Sequence, residues 1–162
     1  MPLVRLPLSG GCQCGRQRYR ITALPLSLYA CHCRECQKQS SSAFGLSMPV
    51  PREAFECDME SLAHWTRMGA SGRQVVARFC PECGSRLFHE PARDPALVNV
   101  KPGCLDDNSW IEPVGHLWLK SAQPWFRPPE ESLTYPEQPT DFEALFARFA
   151  KRFAEASADD AI

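Results

Sequence analysis

The 162-residue chain lacks a long apolar run, since no stretch approaches the roughly 20 apolar residues that a membrane-spanning helix requires. The segment Met1 to Gly10 also lacks the apolar core of a signal peptide. Excess basic charge, which nucleic-acid-binding proteins normally carry, is missing as well. The 18 lysines and arginines against 19 aspartates and glutamates leave a formal net charge of −1. We therefore expect a cytoplasmic protein whose partners include neither a membrane nor a nucleic acid.

Long helices are disfavoured too, because the chain contains 15 prolines and nine glycines. Over several short segments, apolar residues alternate with polar ones, which is typical of strands with one buried face. The predicted strands are Arg18 to Thr22, Leu26 to Ala30, Phe44 to Val50, Leu62 to Thr66, Arg73 to Phe79, Arg86 to His89, Ala96 to Val100 and His116 to Leu119. The pattern predicts a mainly β fold.

The C-terminal segment is the exception to this β pattern. Thr140 and Glu143 have the spacing of a helix capping box. Apolar residues then recur at helical spacing, at Phe142, Leu145, Phe146, Phe149 and Phe153. We predict one amphipathic helix from Asp141 to about Glu155, with its aromatic side against the sheet. The chain then divides into a β domain over residues 1–139 and a helical segment over residues 140–157.

Cysteine is the most informative residue type in this sequence. Seven of the nine cysteines lie in three clusters: Cys12 and Cys14, then Cys31, Cys33 and Cys36, then Cys80 and Cys83. In a reducing compartment, clustered cysteines bind metal or do redox chemistry more often than they form disulfides. Structural zinc sites take four protein ligands, whereas catalytic ones take three and keep a position open. Seven cysteines fit one site of each kind.

The spacing indicates which cysteines belong together. Residues i and i+2 of a strand face the same side, so Cys12 and Cys14 can present both sulfurs to one metal. The Cys-Pro-x-Cys-Gly turn at Cys80 and Cys83 brings two more sulfurs together, and Gly84 lets the backbone bend there. These four cysteines predict a closed zinc site. Cys31, Cys33 and Cys36 predict a second zinc site with an open position; alternatively, His32 or a distant residue completes a purely structural site.

The order of the motifs resembles a known family. GGCQCG, CHCRECQKQS, RFCPECGSRLFH, KPGCLDD and HLW, followed by Trp125, are similar to the glutathione-dependent formaldehyde-activating enzyme family, which shares a domain with centromere protein V. The resemblance runs from about Gly10 to Trp125. It implies an Mss4-like fold of several small coiled antiparallel sheets with two zinc ions per chain. It also implies that Cys12, Cys14, Cys80 and Cys83 hold structural zinc, and that Cys31, Cys33 and Cys36 hold the active zinc.

Two positions depart from the family pattern. Ser41 stands where the family usually has glycine, and Cys104 stands where it usually has threonine. A glycine at position 41 would serve a positive φ or a close approach of substrate to the backbone. Cys104 is interpreted either as an isostere of threonine or as a fourth ligand that closes the second zinc site. The remaining cysteine, Cys57, is interpreted as a small buried residue.

The resemblance implies carbon–sulfur lyase chemistry, namely the reversible formation of S-hydroxymethylglutathione from glutathione and formaldehyde. We therefore expect a zinc-dependent lyase that acts on the adduct of a thiol, such as glutathione, with an aldehyde. A non-catalytic, zinc-stabilised binding module is the alternative. Candidate residues for proton transfer are Asp106, Asp107 and His116, and candidates for contacts to substrate carboxylates are Arg34, Lys38 and Arg73.

Overall fold

The structure, a computed structural model, describes residues 4–69, 72–91 and 94–159. Its strands are β1 (Leu8–Gly11), β2 (Arg18–Ile21), β3 (Tyr29–Cys31), β4 (Gly45–Pro51), β5 (Phe55–Cys57), β6 (Ala63–Met68), β7 (Gln74–Phe79), β8 (Arg86–Pro91), β9 (Leu97–Val100), β10 (Gly115–Leu117) and β11 (Leu133–Thr134). Its α-helices are α1 (Arg34–Ser40) and α2 (Glu143–Asp159). The mainly β prediction with one C-terminal helix is thus confirmed, and the short helix α1 is an addition to it.

The strands form two sheets. A three-stranded antiparallel sheet has the order β1-β2-β5, and an eight-stranded sheet has the order β11-β10-β3-β4-β9-β8-β7-β6. In the larger sheet β10 pairs in parallel with β3 and with β11, whereas the pairs from β3 to β6 are antiparallel. Several antiparallel sheets were expected. The described residues form two sheets, and the larger one is mixed.

Each face of the larger sheet has its own role, because successive strand residues point to opposite faces. One face carries the apolar residues of the core: Ala30, Met48, Val50, Phe88, Val98 and Val100, all fully buried. The other face carries residues that line a cavity: Tyr29 and Cys31 on β3, Ser47 and Pro49 on β4, Leu97 and Asn99 on β9, and His89 on β8. Strand register brings these into rows, since Tyr29 pairs with Ser47 and Asn99 pairs with both Pro49 and His89.

The larger sheet curls around this cavity. Strand β6 lies at one edge, five positions along the sheet from β3. Nevertheless, Arg67 Nη1 on β6 approaches Glu35 Oε2 on α1, which follows β3 directly, to 3.9 Å. A sheet can bring such distant strands together because its right-handed twist accumulates from strand to strand. The cavity therefore lies on the concave face of the sheet.

Helix α2 packs on the core through an apolar stripe of Leu145, Phe149 and Phe153, all buried. Phe142, directly before the helix, is buried as well. Ser27 Oγ donates a hydrogen bond to the Leu145 carbonyl at 3.3 Å, which ties the helix to the segment before β3. The predicted capping box is wrong: the helix begins at Glu143, whose N–H donates to Asp141 Oδ1 at 3.2 Å. Within the described ranges, no helix has the length and apolarity needed to cross a bilayer.

The predicted strands are found close to their expected positions, with one clear displacement. The strand predicted from Leu26 to Ala30 starts only at Tyr29 and ends at Cys31. Strands β1, β5 and β11 and helix α1 were not predicted. Each of these strands has two to four residues, which is too short for an alternation pattern to be recognised.

Candidate metal centres and substrate cavity

The first cysteine cluster joins the two sheets. Cys12 and Cys14 lie in the turn after β1, and Cys80 and Cys83 lie in the turn between β7 and β8. Their four sulfurs all lie within 4.8 Å of one another, with Cys12 to Cys14 at 3.4 Å and Cys14 to Cys80 at 3.8 Å. Four sulfurs at about 2.3 Å from a tetrahedral zinc lie about 3.8 Å apart. The cluster therefore has the dimensions of a closed zinc–thiolate site.

The backbone around these cysteines brings the sulfurs together and donates hydrogen bonds to them. Gly84 has a φ of +71°, which only glycine adopts without strain, and its N–H donates to the Cys80 carbonyl at 2.9 Å to close the turn. The N–H of Gln17 donates to Cys12 Sγ at 3.2 Å. Hydrogen bonds from the Ser85 hydroxyl and backbone lower the pKa of the Cys83 thiol to about 5. Donors aimed at sulfur favour the thiolate, which is the form that binds metal.

The second cluster is built where β3 meets α1. Cys31 ends β3, Cys33 is the N-cap of α1, and Cys36 lies in the first helical turn. Positions three apart on a helix face the same side, so Cys33 and Cys36 point together towards Cys31. The three sulfurs lie within 4.8 Å of one another, and all three residues are buried. Within the described residues, no fourth histidine, cysteine or carboxylate joins them.

The surroundings of Cys33 favour a thiolate at this position of the trio. Hydrogen bonds with the Cys31 and Cys36 thiols, together with the backbone N–H groups of Cys36 and Glu35, lower the pKa of the Cys33 thiol to about 2. The same hydrogen bonds with Cys33 and Cys36 raise the pKa of Cys31. The N-terminus of a helix is a favourable position for a thiolate, because its free N–H groups and the helix dipole point at the sulfur. The trio thus offers a metal three sulfurs, and the surroundings of Cys33 favour its thiolate form.

The trio opens on the cavity of the concave face, which has a volume of about 540 Å³. Trp118 packs against the three cysteines and lines the same cavity. Its backbone has a φ of +61°, which is uncommon for a bulky residue and is a form of strain often found at functional sites. Phe142, directly before helix α2, and Phe146 within the helix contribute to the cavity wall. A ligand at the trio would therefore be enclosed by apolar rings on this side.

Cationic side chains gather beside the trio. Arg67 lines the cavity and is only 12% exposed. Burial lowers the pKa of Lys101, although the nearby Cys36 and Cys31 oppose this shift, and Arg86 and Arg67 add to it. Burial, followed by these same three cations, also lowers the pKa of His89 well below its usual value. Three cations and a neutral imidazole therefore share one region beside the trio.

Several residues singled out from the sequence lie elsewhere. Cys104 Sγ lies 3.3 Å from the Arg86 carbonyl and packs on the main core, so it does not close the trio as a fourth ligand. His32 does not complete it either, because its Nε2 lies 3.1 Å from Nδ1 of the buried His116. The serine at position 41 adopts a φ of +50° as the C-cap of α1, so the backbone there has the positive φ for which a glycine is suited.

Most of the residues predicted to transfer protons or to contact substrate carboxylates also lie outside the cavity. Asp106 forms an exposed ion pair with Arg18, and Asp107 accepts hydrogen bonds within its own turn from Ser109. Neither these aspartates nor His116 is among the described residues that line the cavity. Of the three predicted carboxylate contacts, Arg73 lines the cavity, whereas Arg34 and Lys38 are exposed outside it.

Sequence reasoning missed Arg67, Lys101 and His89 as residues of this region. The predicted strand stopped at Thr66, one residue before Arg67, although β6 continues to Met68. If the alternating pattern of this strand is continued by one residue, Arg67 lies on the same face of the strand as Trp65. No sequence signal, however, indicates that this face meets β3, because that contact depends on the curl of the sheet.

Two comparisons relate this chain to known proteins. Residues 7–121 match the family of the glutathione-dependent formaldehyde-activating enzyme. A crystal structure of a Rhodobacter sphaeroides protein is similar to this chain with a TM-score of 0.50 and 17% sequence identity, over 65% of this chain and 91% of that one. This structural likeness concerns the fold alone. All seven clustered cysteines lie within the matched residues, whereas the Phe142 and Phe146 wall lies beyond them.

Proposed function

Since the chain belongs to the glutathione-dependent formaldehyde-activating enzyme family, we propose that it is a zinc-dependent carbon–sulfur lyase that acts on a thiol–aldehyde adduct. The observation that carries the proposal is the difference between the two cysteine clusters. Four sulfurs meet at the joint between the sheets, whereas three buried sulfurs face a cavity of about 540 Å³. Glutathione is the proposed thiol, and S-hydroxymethylglutathione is the adduct that the family suggests.

The proposal assigns two zinc ions to each chain. Cys12, Cys14, Cys80 and Cys83 would hold the structural ion, and Cys31, Cys33 and Cys36 would hold the ion at the active site. Zinc bound there would supply a Lewis acid that lowers the pKa of a thiol at its open position. A cytoplasmic location is part of the proposal, because reducing conditions keep the seven cysteines available as metal ligands.

The reaction needs no oxidant or reductant. In one direction the thiol sulfur adds to the aldehyde carbon, and the proton lost by sulfur ends on the former carbonyl oxygen. In the other direction the carbon–sulfur bond breaks and the carbonyl returns. The chain's own contribution is to hold the reactants in the cavity, whose wall includes Trp118 and Arg67. Arg67, which lines the cavity, would stabilise negative charge on sulfur or oxygen as it develops.

The test is a rate measurement with zinc-loaded protein, glutathione and formaldehyde. Exchange spectroscopy by NMR follows the formation and breakdown of S-hydroxymethylglutathione against the uncatalysed background. We expect the wild-type chain to accelerate this exchange and Cys36→Ser to abolish the acceleration. Cys57→Ser is the matched control, because Cys57 lies outside both clusters, and it should retain the wild-type rate.

Two results would contradict the proposal. The first is a zinc-loaded wild-type chain that binds glutathione without accelerating the exchange, which would favour the non-catalytic binding module. The second is a folded Cys36→Ser variant that retains the wild-type rate, which would remove the trio from the reaction.

A further inference from the structure

One part of the cavity lining is aromatic. It is formed by four side chains, which we call the aromatic wall: Tyr29, Trp118, Phe142 and Phe146. The arginines and the aspartate that line the cavity all lie within residues 67–94. Among the described residues after Asp94, no lining side chain is charged. The charged and the aromatic surfaces of the cavity therefore come from different parts of the chain.

The aromatic wall begins at the cysteine trio. Trp118 packs against the three cysteines. Tyr29 precedes Cys31 by two residues on β3, so both side chains lie on the same face of the strand, with Cα atoms about 6.6 Å apart. A group attached to a sulfur bound at the trio would therefore have aromatic surface within reach.

Contacts between the rings and to polar neighbours fix the wall in place. The rings of Tyr29 and Phe142 have centroids 5.5 Å apart, and those of Phe142 and Phe146 are 6.1 Å apart. The Tyr29 hydroxyl donates to Asn99 Oδ1 at 3.4 Å, and Trp118 Nε1 donates to Gln138 Oε1 at 3.2 Å. The wall is thus formed before any ligand binds, which lowers the cost of binding.

Helix α2 reaches the cavity because it approaches the sheet closely at one residue. Gly115 on β10 pairs with Tyr29, and a Cβ atom at Gly115 would lie 2.4 Å from Leu145 Cδ2. The missing side chain lets α2 lie against the sheet beside Tyr29, with Phe142 and Phe146 at the cavity. Both phenylalanines lie beyond the matched residues 7–121, so chemistry shared by the family does not account for them.

The adduct of glutathione with formaldehyde has no group that would cover this wall. Formaldehyde carries no carbon atom beyond the reacting one, and glutathione is a polar peptide. Aromatic surface in a cavity favours a ligand that removes it from water. A cavity of about 540 Å³ has the size of pockets that bind ligands much larger than formaldehyde. An aldehyde with an aromatic ring would supply the missing apolar group.

We propose that the aromatic wall is a subsite for the side group of an apolar aldehyde, with an aromatic aldehyde as the preferred class. This inference rests on the proposed function for the position of the sulfur, and it deepens that function by naming the aldehyde. The side group takes no part in the bond change: the same carbon–sulfur bond forms or breaks, and the same proton moves between sulfur and oxygen. Phe146 is the specificity-determining residue, because it lines the cavity and is only half-buried by the protein.

The subsite can be tested without turnover by using two stable thioethers, S-benzylglutathione and S-methylglutathione. They share the peptide and the sulfur, and they differ by a phenyl ring in the position of the aldehyde side group. Calorimetry with zinc-loaded protein compares their binding. We expect the benzyl compound to bind the wild-type chain roughly 10- to 100-fold more tightly, from the burial of one ring. Phe146→Ala should remove most of this preference, and Phe146→Leu should retain part of it.

Two further variants make the test decisive. Phe142→Leu should also weaken the preference for the benzyl compound, and it serves if Phe146→Ala does not fold. Phe149→Leu is the matched control, because Phe149 lies on the same helix but is buried in the core and is not among the described residues that line the cavity. It should keep the full preference.

Four results would overturn the subsite. They are equal binding of the two thioethers to the wild-type chain, no binding of either, an unchanged preference in folded Phe146→Ala, and loss of the preference in Phe149→Leu. The last result would mean that the preference depends on the packing of α2 in general and not on the aromatic wall.

These outcomes are separate from those of the proposed function. Tighter binding of the benzyl compound without acceleration of the adduct exchange would contradict the lyase proposal and support the subsite. Acceleration of the exchange with equal binding of the two thioethers would contradict the subsite and leave the lyase proposal intact.

Discussion

Loss of the two cysteine clusters should affect stability unequally, and the difference can be estimated from the chain segments that they close. A metal that bridges two parts of a chain acts as a cross-link, which removes conformational entropy from the unfolded state in proportion to the logarithm of the loop length. Cys14 and Cys80 are separated by 66 residues. Closing a loop of that length stabilises the folded state by about 4 kcal/mol, whereas closing the short segment 31–36 contributes about 2 kcal/mol.

The proposed perturbations are Cys83→Ser for the first cluster and Cys36→Ser for the second. A chain of this length loses about 2–4 °C in Tm for each kcal/mol. We therefore expect Cys83→Ser to lower Tm by about 8–16 °C, or to prevent folding, and Cys36→Ser to lower it by about 4–8 °C. Zinc analysis should find one ion fewer per chain in each variant, and Cys57→Ser should keep both ions.

The assay is thermal unfolding followed by circular dichroism, with zinc content measured on the same samples. The decisive quantity is the difference between the two shifts in Tm. Equal shifts in Tm, or a larger shift for Cys36→Ser, would show that the clusters do not divide into one that joins the sheets and one that serves the cavity.

Three further predictions concern the fold. Tyr19→Phe should raise the free energy of unfolding by about 1 kcal/mol, because the Tyr19 hydroxyl is buried with no partner among the described residues. Burial raises the pKa of Tyr19 in the folded chain above its ordinary value of 10.0. Above pH 10 the Tyr19 hydroxyl therefore ionises in the unfolded chain but not in the folded one, so the free energy of unfolding is intact below pH 10 and falls above it. Urea unfolding at pH 8 and pH 10.5 should show this loss in the wild-type chain but not in Tyr19→Phe. An equal loss in both proteins would contradict the prediction. Ser41→Gly should be neutral or stabilise by up to about 1 kcal/mol, because it relieves the positive φ at the end of α1 at some cost in unfolded-state entropy. Ser41→Val should destabilise, and equal urea midpoints for the two variants would contradict the backbone argument. Phe149→Ala should cost about 3–5 kcal/mol in urea unfolding, since Phe149 is only 3% exposed in the core contact of α2. The exposed Ala150→Ser should change stability by less than about 1 kcal/mol, and an equally small effect of Phe149→Ala would mean that α2 is not part of the core.

The cysteine clusters could be predicted from local geometry and motif order. Spacing alone pairs Cys12 with Cys14 and Cys80 with Cys83, and it groups Cys31, Cys33 and Cys36, because strand and turn geometry determine which sulfurs converge. The structure brings together the same two groups of sulfurs. Helix α2 was predictable for a similar reason, since its aromatic stripe extends over several turns.

The position of Cys104 could not be predicted from the sequence. Its motif suggests either an isostere of threonine or a fourth ligand, and spacing cannot separate the two. In the structure, Leu105, the residue after Cys104, forms an isolated bridge to Gly10, which holds this segment beside the other cluster. The thiol then points towards the Arg86 carbonyl. Long-range pairing therefore decided between the two interpretations.

The sequence by itself determined that this protein has a mainly β fold and which cysteines group together, because both depend on residues that are neighbours in the chain or follow a regular period. Only the tertiary structure decided that Arg67 lines the same cavity as the trio. Arg67 and Glu35 lie on elements far apart in sequence, and they meet because the accumulated twist of eight strands curls the sheet back on itself. The positions of the charged residues around the cavity depend on that curvature. No local pattern in the sequence encodes it.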